Sequence, residues 1–395
     1  MANEFVTNKR TELVLIRSAE AAPYLTVGAK SYLGDQLSPK ARSGREYEFV
    51  IRDAGEYVSG IDITGHVSTL KERPVKFKVQ EGNIAIETDF LTKTLDVDFD
   101  KQIAQPNGEK LAKGLVADVM DADLGKANTA FVGQGWLPLF KASNFLESIS
   151  SEAQYAFLDP MIHSIARSSG KAYEPAGDVE PIYRKGLKGT IGEAEVRSQQ
   201  GFKVIEVSEA LANELASATV TSYATGADFD TLTLSGVTQT IPAGTPIFIN
   251  GVKACDLVGE PTSALKAFIA IADATSGAVK VRKVDFTGVG TKEASKMPEA
   301  SDKVVNALKA GTYFTGIIRL NGSFEMDTVK NQDWSNADET VSTPNGITMH
   351  TARAVDVLKG TNVTRYNITG VFGICEPRAV AYVCIADATA NVVAL

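Results

Sequence analysis

Asp159 and His163, in the stretch AFLDPMIHSI, stand four residues apart. On a helix that spacing puts two side chains one turn apart, as a pair of metal ligands or a base and its orienting carboxylate require. Pro160 follows the aspartate directly, and Asp-Pro ahead of the apolar Ile162 and Ile165 is also the pattern of a helix start. There the aspartate is the N-cap and the proline fills the first helical position. A cap residue has non-helical backbone, so its carboxylate turns to the free amides of the first turn and away from the helix face. No second histidine is near and no H-E-x-x-H pattern occurs. The residues favour the cap, worth about 1 kcal/mol.

The remaining chemistry-bearing patterns are incomplete. The histidines are His66, His163 and His350, and none neighbours a nucleophile in a G-x-S-x-G setting. GVGTK at 288–292 lacks the third glycine of a dinucleotide fingerprint. GTPIFINGVK lacks the P-loop spacing and its Lys-Ser/Thr ending. Asp96, Asp98 and Asp100 alternate as in a calcium loop, but no turn glycine and no closing glutamate follow. These carboxylates suit the start of the next helix, where negative charge is favourable by about 0.3–1 kcal/mol each. No catalytic, cofactor or metal residue is therefore assigned, and the expectation is a protein without enzymatic activity.

The 395 residues suffice for two or three domains with ordinary cores. A net charge of −8 argues against tight duplex binding, which needs clustered Lys and Arg. Cys255, Cys375 and Cys384 form no CxxC pair and read as small buried hydrophobes. Neither a signal-peptide core nor a long apolar run occurs, so the chain is expected to be made inside a cell and to engage no membrane. On that expectation the sequons at Asn321, Asn362 and Asn367 are chance.

TELVLIRSAEAA near the N-terminus reads as an amphipathic helix. REYEFVIRD and YVSGIDITG read as a hairpin-like excursion, continued by RPVKFKVQEGNIAIETDF through a second turn at Glu81-Gly82-Asn83. From DKQIAQPNGEKLAKGLVADVM the period is helical, with Ile103, Leu111, Leu115 and Val119 on one face. Pro106 and Gly108 fall inside this predicted helix and should kink or interrupt it. TAFVGQG and AQYAFL read as strands around a helix from WLPLFKASNFLESISS, and FKVIEV as a further strand. Between 217 and 300, short Thr/Val/Ile strands alternate with Gly, Asp and Pro turns, the texture of a small antiparallel barrel or sandwich. DKVVNALKAG reads as helical, and the C-terminal part as mixed β with one helix. The fold class expected is α+β, with its body split by an all-β insertion.

The stretch SPKARSGREYEFVIRDAGEYVSG interleaves Arg42, Arg45 and Arg52 with Glu48, Asp53 and Glu56. One reading is a solvated loop. The other is a projecting loop whose ion pairs orient it against a second copy of the chain.

This order of parts resembles the major capsid proteins of tailed bacteriophages, most of all short-tailed-phage coat proteins with an inserted β-domain. The most telling stretch runs from AQYAFLDPMIHSIARSSG to GFKVIEV, similar to the axial domain of that family. TLTLSGVTQTIPAGTPIFINGV is similar to the insertion's strands, and RYNITGVFGICEPRAVAYVCIAD to the returning axial strands. The resemblance implies the Hong Kong phage type of capsid fold. Its parts would be an N-terminal arm (1–42), an E-loop (43–75), peripheral strands with the spine helix (76–135), a first axial part (136–216), an inserted β-domain (217–300) and an axial and peripheral return (301–395). It further implies pentamers and hexamers closing into an icosahedral shell, maturation from a procapsid, and assembly in the host cytoplasm. Scaffolding and portal proteins would be partners, double-stranded DNA would be faced weakly, and no cofactor is needed. Two other classes stay open: another virion component, such as a decoration or tail protein, and a hydrolase with an unrecognised site.

Overall fold

A computed structural model of the chain describes residues 2–33, 37, 44–52, 72–89, 103–162, 165, 190–288, 290–329, 337–342, 346–356 and 361–387. The first elements are α1 (Ala2–Ala21), α2 (Pro23–Thr26), β1 (Ala29–Lys30), β2 (Glu46–Arg52), β3 (Glu72–Lys78), β4 (Gln80–Asp89) and α3 (Gln105–Asp123). Next come β5 (Thr129–Gln134), α4 (Leu137–Ile149), β6 (Gln154–Leu158), β7 (Thr190–Ile191), β8 (Ala194–Ser198), β9 (Val204–Val207) and α5 (Glu209–Ser217). Six short strands follow: β10 (Thr219–Ala224), β11 (Phe229–Ser235), β12 (Pro246–Cys255), β13 (Pro261–Ile269), β14 (Ala278–Arg282) and β15 (Val304–Val305). The chain closes with β16 (Gly311–Leu320), β17 (Phe324–Thr328), β18 (Ala337–Ser342), β19 (Thr348–Asp356), β20 (Thr361–Ile374) and β21 (Val380–Ala386). Helices and antiparallel-rich sheets together make the chain α+β.

Two compact units share these elements. Unit 1 is assembled from Met1–Phe49, Val75–Ala122 and Phe324–Gly373. Its sheet has the order β1-β17-β20-β19-β18, and β4 adds along β20 from Gln80 opposite Gly370 to Asp89 opposite Thr361. The expected turn at Glu81-Gly82-Asn83 is absent, because these residues lie inside β4. Gly82 serves helix packing instead. A Cβ there would stand 3.2 Å from Leu111 and 3.5 Å from Leu115, so its bare backbone lets α3 lie close on the sheet. Leu111, Ala112, Leu115, Val116 and Val119 are the buried stripe of α3, at helical spacing.

Pro106 is the second residue of α3, in the first turn, where a missing N–H costs little. It starts the helix and does not interrupt it. Gly108 marks a close crossing of two helices. A Cβ on it would come within 2.9 Å of both the Val14 carbonyl oxygen and Arg17 Cβ of α1. Gly108→Val should therefore push α1 away, an overpacking cost of roughly 1–3 kcal/mol. Limited proteolysis checks this: α1 should be cut faster in the variant, and an unchanged rate would contradict the tight crossing. From Val14 onward the N-terminal segment belongs to the core of unit 1, with Val14, Leu15, Ser18, Tyr24 and Leu25 buried and Tyr24 edge-on to Phe324.

Unit 2 comprises Val50–Pro74, Asp123–Ser323 and Ile374–Leu395. Its main sheet has the order β5-β21-β16-β6-β8-β7, and β9 pairs with the far end of β16. Every residue of β21 is buried, as its unbroken apolar run VAYVCIA requires of a strand covered on both faces. Helix α4 packs on this sheet through Leu139, Ala142 and Leu146. Helix α5 was not evident from composition, yet its start is encoded: the Ser208 hydroxyl accepts from the Leu211 N–H at 3.1 Å. DKVVNALKAG is not a helix. Val304 pairs with Ile249 of β12, and Asn306 then turns the chain by accepting from the Leu308 N–H.

The strands from 219 to 305 form two three-stranded antiparallel sheets, β10-β11-β14 and β13-β12-β15. Isolated bridges Ala270–Val281 and Thr219–Lys303 join the sheets at both edges, closing the six strands into a ring. This ring is tied to the main sheet of unit 2 through specific polar contacts. Asn128, just ahead of β5, donates its side-chain amide to the Cys255 carbonyl at 2.7 Å, and Thr129 donates to the Leu265 carbonyl at 2.8 Å. Arg378, ahead of β21, forks onto Glu376 at 2.9 and 3.0 Å and donates to the carbonyls of Asp256 and Gly290.

Candidate functional site

Of the six residues singled out for contacts between copies, Arg45 and Glu48 are described, and Arg52 is described as the last residue of β2. Arg42, Asp53 and Glu56 lie outside the described residues, as do His66, His163 and the Asp96–Asp100 run. Strand β2 pairs with β3, and the Val79 N–H donates to the Arg45 carbonyl while the Gly44 N–H donates to that of Val79. The alternation EYE in β2 meets the alternation KFK in β3. Glu48 faces Lys76 at 3.8 Å and Glu46 faces Lys78 at 3.7 Å, with all four side chains largely exposed. Arg45 lies 5.4 Å from the centre of the Tyr47 ring. The period of two puts both ion pairs on one face of the hairpin. Lys76 and Lys78 were missed as partners, although KFK against EYE carries that signal.

Exposed pairs of this kind contribute about 0–1 kcal/mol each. They do little to hold the hairpin and much more to give one face a defined pattern of charge.

The Asp159 carboxylate is a cap. It accepts from the Met161 N–H at 2.9 Å, and partial burial raises its pKa. His350 is a structural histidine with no exposed surface. Its Nε2 contacts the Val329 carbonyl at 2.7 Å and its Nδ1 the Thr340 hydroxyl at 3.0 Å, and burial lowers its pKa. A carbonyl partner on Nε2 requires a proton there, and burial, which lowers the pKa, favours the neutral ring in which Nδ1 accepts from Thr340. His350→Leu should cost about 1–3 kcal/mol, because the buried Val329 carbonyl loses its donor. Chemical denaturation of the two proteins measures the difference, and equal midpoints would refute the assignment.

Among the described residues no cluster of three or more His, Cys, Asp or Glu could hold a metal ion. All three cysteines are buried as free thiols. No described helix is long and apolar enough to cross a membrane.

A second polar centre lies in unit 1. Glu325 and Asp327 of β17 are both buried, and the Glu325 carboxyl hydrogen-bonds Asp327. Glu325 accepts from the N–H groups of Tyr32, at 3.0 and 3.2 Å, and Leu33, at 3.2 Å. Asp327 accepts from the Ser31 hydroxyl at 2.6 Å. Two acids two residues apart on one strand thus hold residues 31–33 through three donors, with the Tyr32 N–H shared between both Glu325 oxygens.

No family model matches the chain, and no curated protein matches it. Solved structures with a similar chain course include that of Mycobacterium phage Che8, at 10% identity and a TM-score of 0.42, covering 90% of this chain and 89% of that one. The capsid of Ralstonia phage GP4 aligns at 8% identity and 0.44, covering 92% and 88%. The acidic stable capsid structure of Helicobacter pylori bacteriophage KHP30 aligns at 8% identity and 0.44, covering 88% and 84%. All three scores lie below 0.5, and the functional reading rests on this chain's own residues.

Proposed function

We propose that this chain is the major capsid protein of a tailed bacteriophage, of the Hong Kong phage type, with a small β-barrel inserted between 217 and 300. In this reading residues 1–42 are the arm, 43–75 the E-loop, 76–135 the peripheral strands and spine, and 136–216 with 301–395 the axial and returning parts. The chain assembles through pentamers and hexamers into an icosahedral shell around double-stranded DNA, by way of a procapsid, in the host cytoplasm. It does so without catalysis or cofactor, and scaffolding and portal proteins are its partners.

The observation that carries this reading is the hairpin of β2 and β3. A two-stranded ribbon alone is marginal in water, and here its paired charges are exposed and Val50, on the same face, is 45% exposed. Such a ribbon gains stability when a surface covers it, and a patterned face of both signs suits a repeated, orientation-setting contact with another copy. The overall charge of −8 fits a shell that contains DNA without adhering to it.

Electron microscopy of the expressed chain is the test, and closed shells or rings of five and six are expected. A compact monomer that turns over a substrate would overturn the proposal. Reversing Lys76 and Lys78 together to glutamate puts four carboxylates on one face. Shell yield should fall at least tenfold, while the unfolding free energy changes by no more than about 0.5 kcal/mol. Normal shells from this variant would take the hairpin out of the interface.

A further inference from the structure

Lys266 is a lysine buried inside the fold. It sits in β13 with 2% of its side chain exposed, inside unit 2 where the ring of strands meets the main sheet. Its Nζ lies 3.0 Å from Oδ1 of Asn128, which is fully buried, and 3.4 Å from Oε2 of Glu293, which is 1% exposed. Glu293 also receives Arg282 on its other oxygen at 2.9 Å. One buried carboxylate thus stands against two cations, the buried Lys266 and the partly exposed Arg282. Releasing the lysine proton balances the charge: Arg282 and Glu293 then pair alone. Burial lowers the Lys266 pKa to about 8, with Arg282 adding to the effect and Glu293 opposing it. Desolvation and a neighbouring cation are the two devices that make a lysine a nucleophile near neutral pH.

The electrophile is held as firmly as the amine. The Asn128 N–H donates to the Val380 carbonyl at 3.0 Å, and the Asn128 carbonyl accepts from the Ala267 N–H at 3.2 Å. Its side-chain amide is fixed by the bond from Nδ2 to the Cys255 carbonyl at 2.7 Å. Amine, amide and carboxylate are therefore pre-positioned on three different segments, 126–129, 265–267 and 291–293.

We propose that Lys266 and Asn128 react to form an intrachain isopeptide bond, with Glu293 as the proton carrier. The lone pair of the neutral amine attacks Cγ of Asn128. Glu293 takes a proton from Nζ and passes it to Nδ2, the Cγ–Nδ2 bond breaks, and ammonia leaves. The products are one Nζ–Cγ amide and one ammonia, no electron is transferred, and Glu293 ends as it began. Holding Nζ 3.0 Å from the oxygen of the amide it attacks replaces a second reactant at an effective concentration of about 10⁵ M or more. The bond would fasten the ring of strands covalently to the main sheet across 138 residues of chain. The reaction occurs once per chain, and the proposal does not depend on the capsid reading.

The test is the mass of the denatured full-length protein, taken fresh and after prolonged incubation at pH 8. The expected mass is lower than that of the sequence by one ammonia, and a digest should contain a branched peptide joining the Asn128 and Lys266 fragments. K266R should restore the full mass and abolish the branched peptide, and E293Q should slow its formation at least tenfold. A full, unchanged mass in the incubated wild type overturns the proposal, and this needs no variant to fold. An ammonia loss that persists in K266R, as from cyclisation at another asparagine, overturns it equally.

Discussion

Deleting residues 219–305 and joining the ends with a short Gly-Ser linker is expected to leave no soluble, cooperatively folding chain. The ring of strands reads as a self-contained module, but its contacts say otherwise. Without it the Asn128 side-chain amide and the Thr129 hydroxyl lose their carbonyl acceptors, and Arg378 loses those of Asp256 and Gly290. Each of these bonds exchanged for water forfeits about 0.5–1.5 kcal/mol, more where the donor is charged. Ala254, Leu257 and Ala264 also pack on the core of the main sheet, which their removal would open. Set against a total stability of about 5–15 kcal/mol, three or four such losses are decisive. Soluble yield and thermal melting by circular dichroism give the readout. A soluble deletion protein melting near the parent would show that the module is an appendage.

What could be read in advance, and what could not, follows from the range of the physics involved. Local patterns are legible: the stripe Leu111, Leu115, Val119 of α3, the Asp159 cap and the strand texture between 217 and 300 all depend on neighbours in sequence. The failures occur where a distant partner decides. Glu81-Gly82-Asn83 has turn composition, but pairing with β20 and the approach of Leu111 keep it in a strand. Val304 and Val305 sit in a helical-looking run, and β12 captures them as a strand. Pro106 and Gly108 looked like one defect and are two unrelated features, a helix start and a helix crossing. In the hairpin, EYE and KFK were visible as alternations, but only the register brings Glu48 to Lys76. Lys266, Asn128 and Glu293 are distant in sequence, and no local signal joins them.

Raising the pH should destabilise unit 1 through Glu325, and Glu325→Gln should remove that sensitivity. Burial is the largest cause that pushes the Glu325 carboxyl up, to about 8, and the bond to Asp327 adds to it, while the N–H groups of Leu33 and Tyr32 pull the other way. A carboxyl whose folded pKa exceeds its unfolded value stabilises the fold while protonated. That contribution is complete below the ordinary glutamate range and is lost as pH rises through the folded value. The window is therefore about pH 5 to 9, on the alkaline side. His350, with its pKa lowered by burial, acts in the opposite sense and below its ordinary 6.5, so the two effects do not overlap in direction. Glutamine reproduces the protonated acid: its oxygen accepts from the Tyr32 and Leu33 amides, and its amide nitrogen donates to Asp327. The parent and Glu325→Gln should be equally stable near pH 5, with the variant ahead by on the order of 2–4 kcal/mol at pH 9. The segment most affected is 31–33, whose three donors this pair accepts, so hydrogen exchange at Tyr32 and Leu33 should quicken in the parent as pH rises, beyond the intrinsic rate. Denaturant titrations across this range decide the matter: parallel stability curves for the two proteins would mean that Glu325 is ionised in the fold and that Ser31, Tyr32 and Leu33 bind a charged pair at every pH.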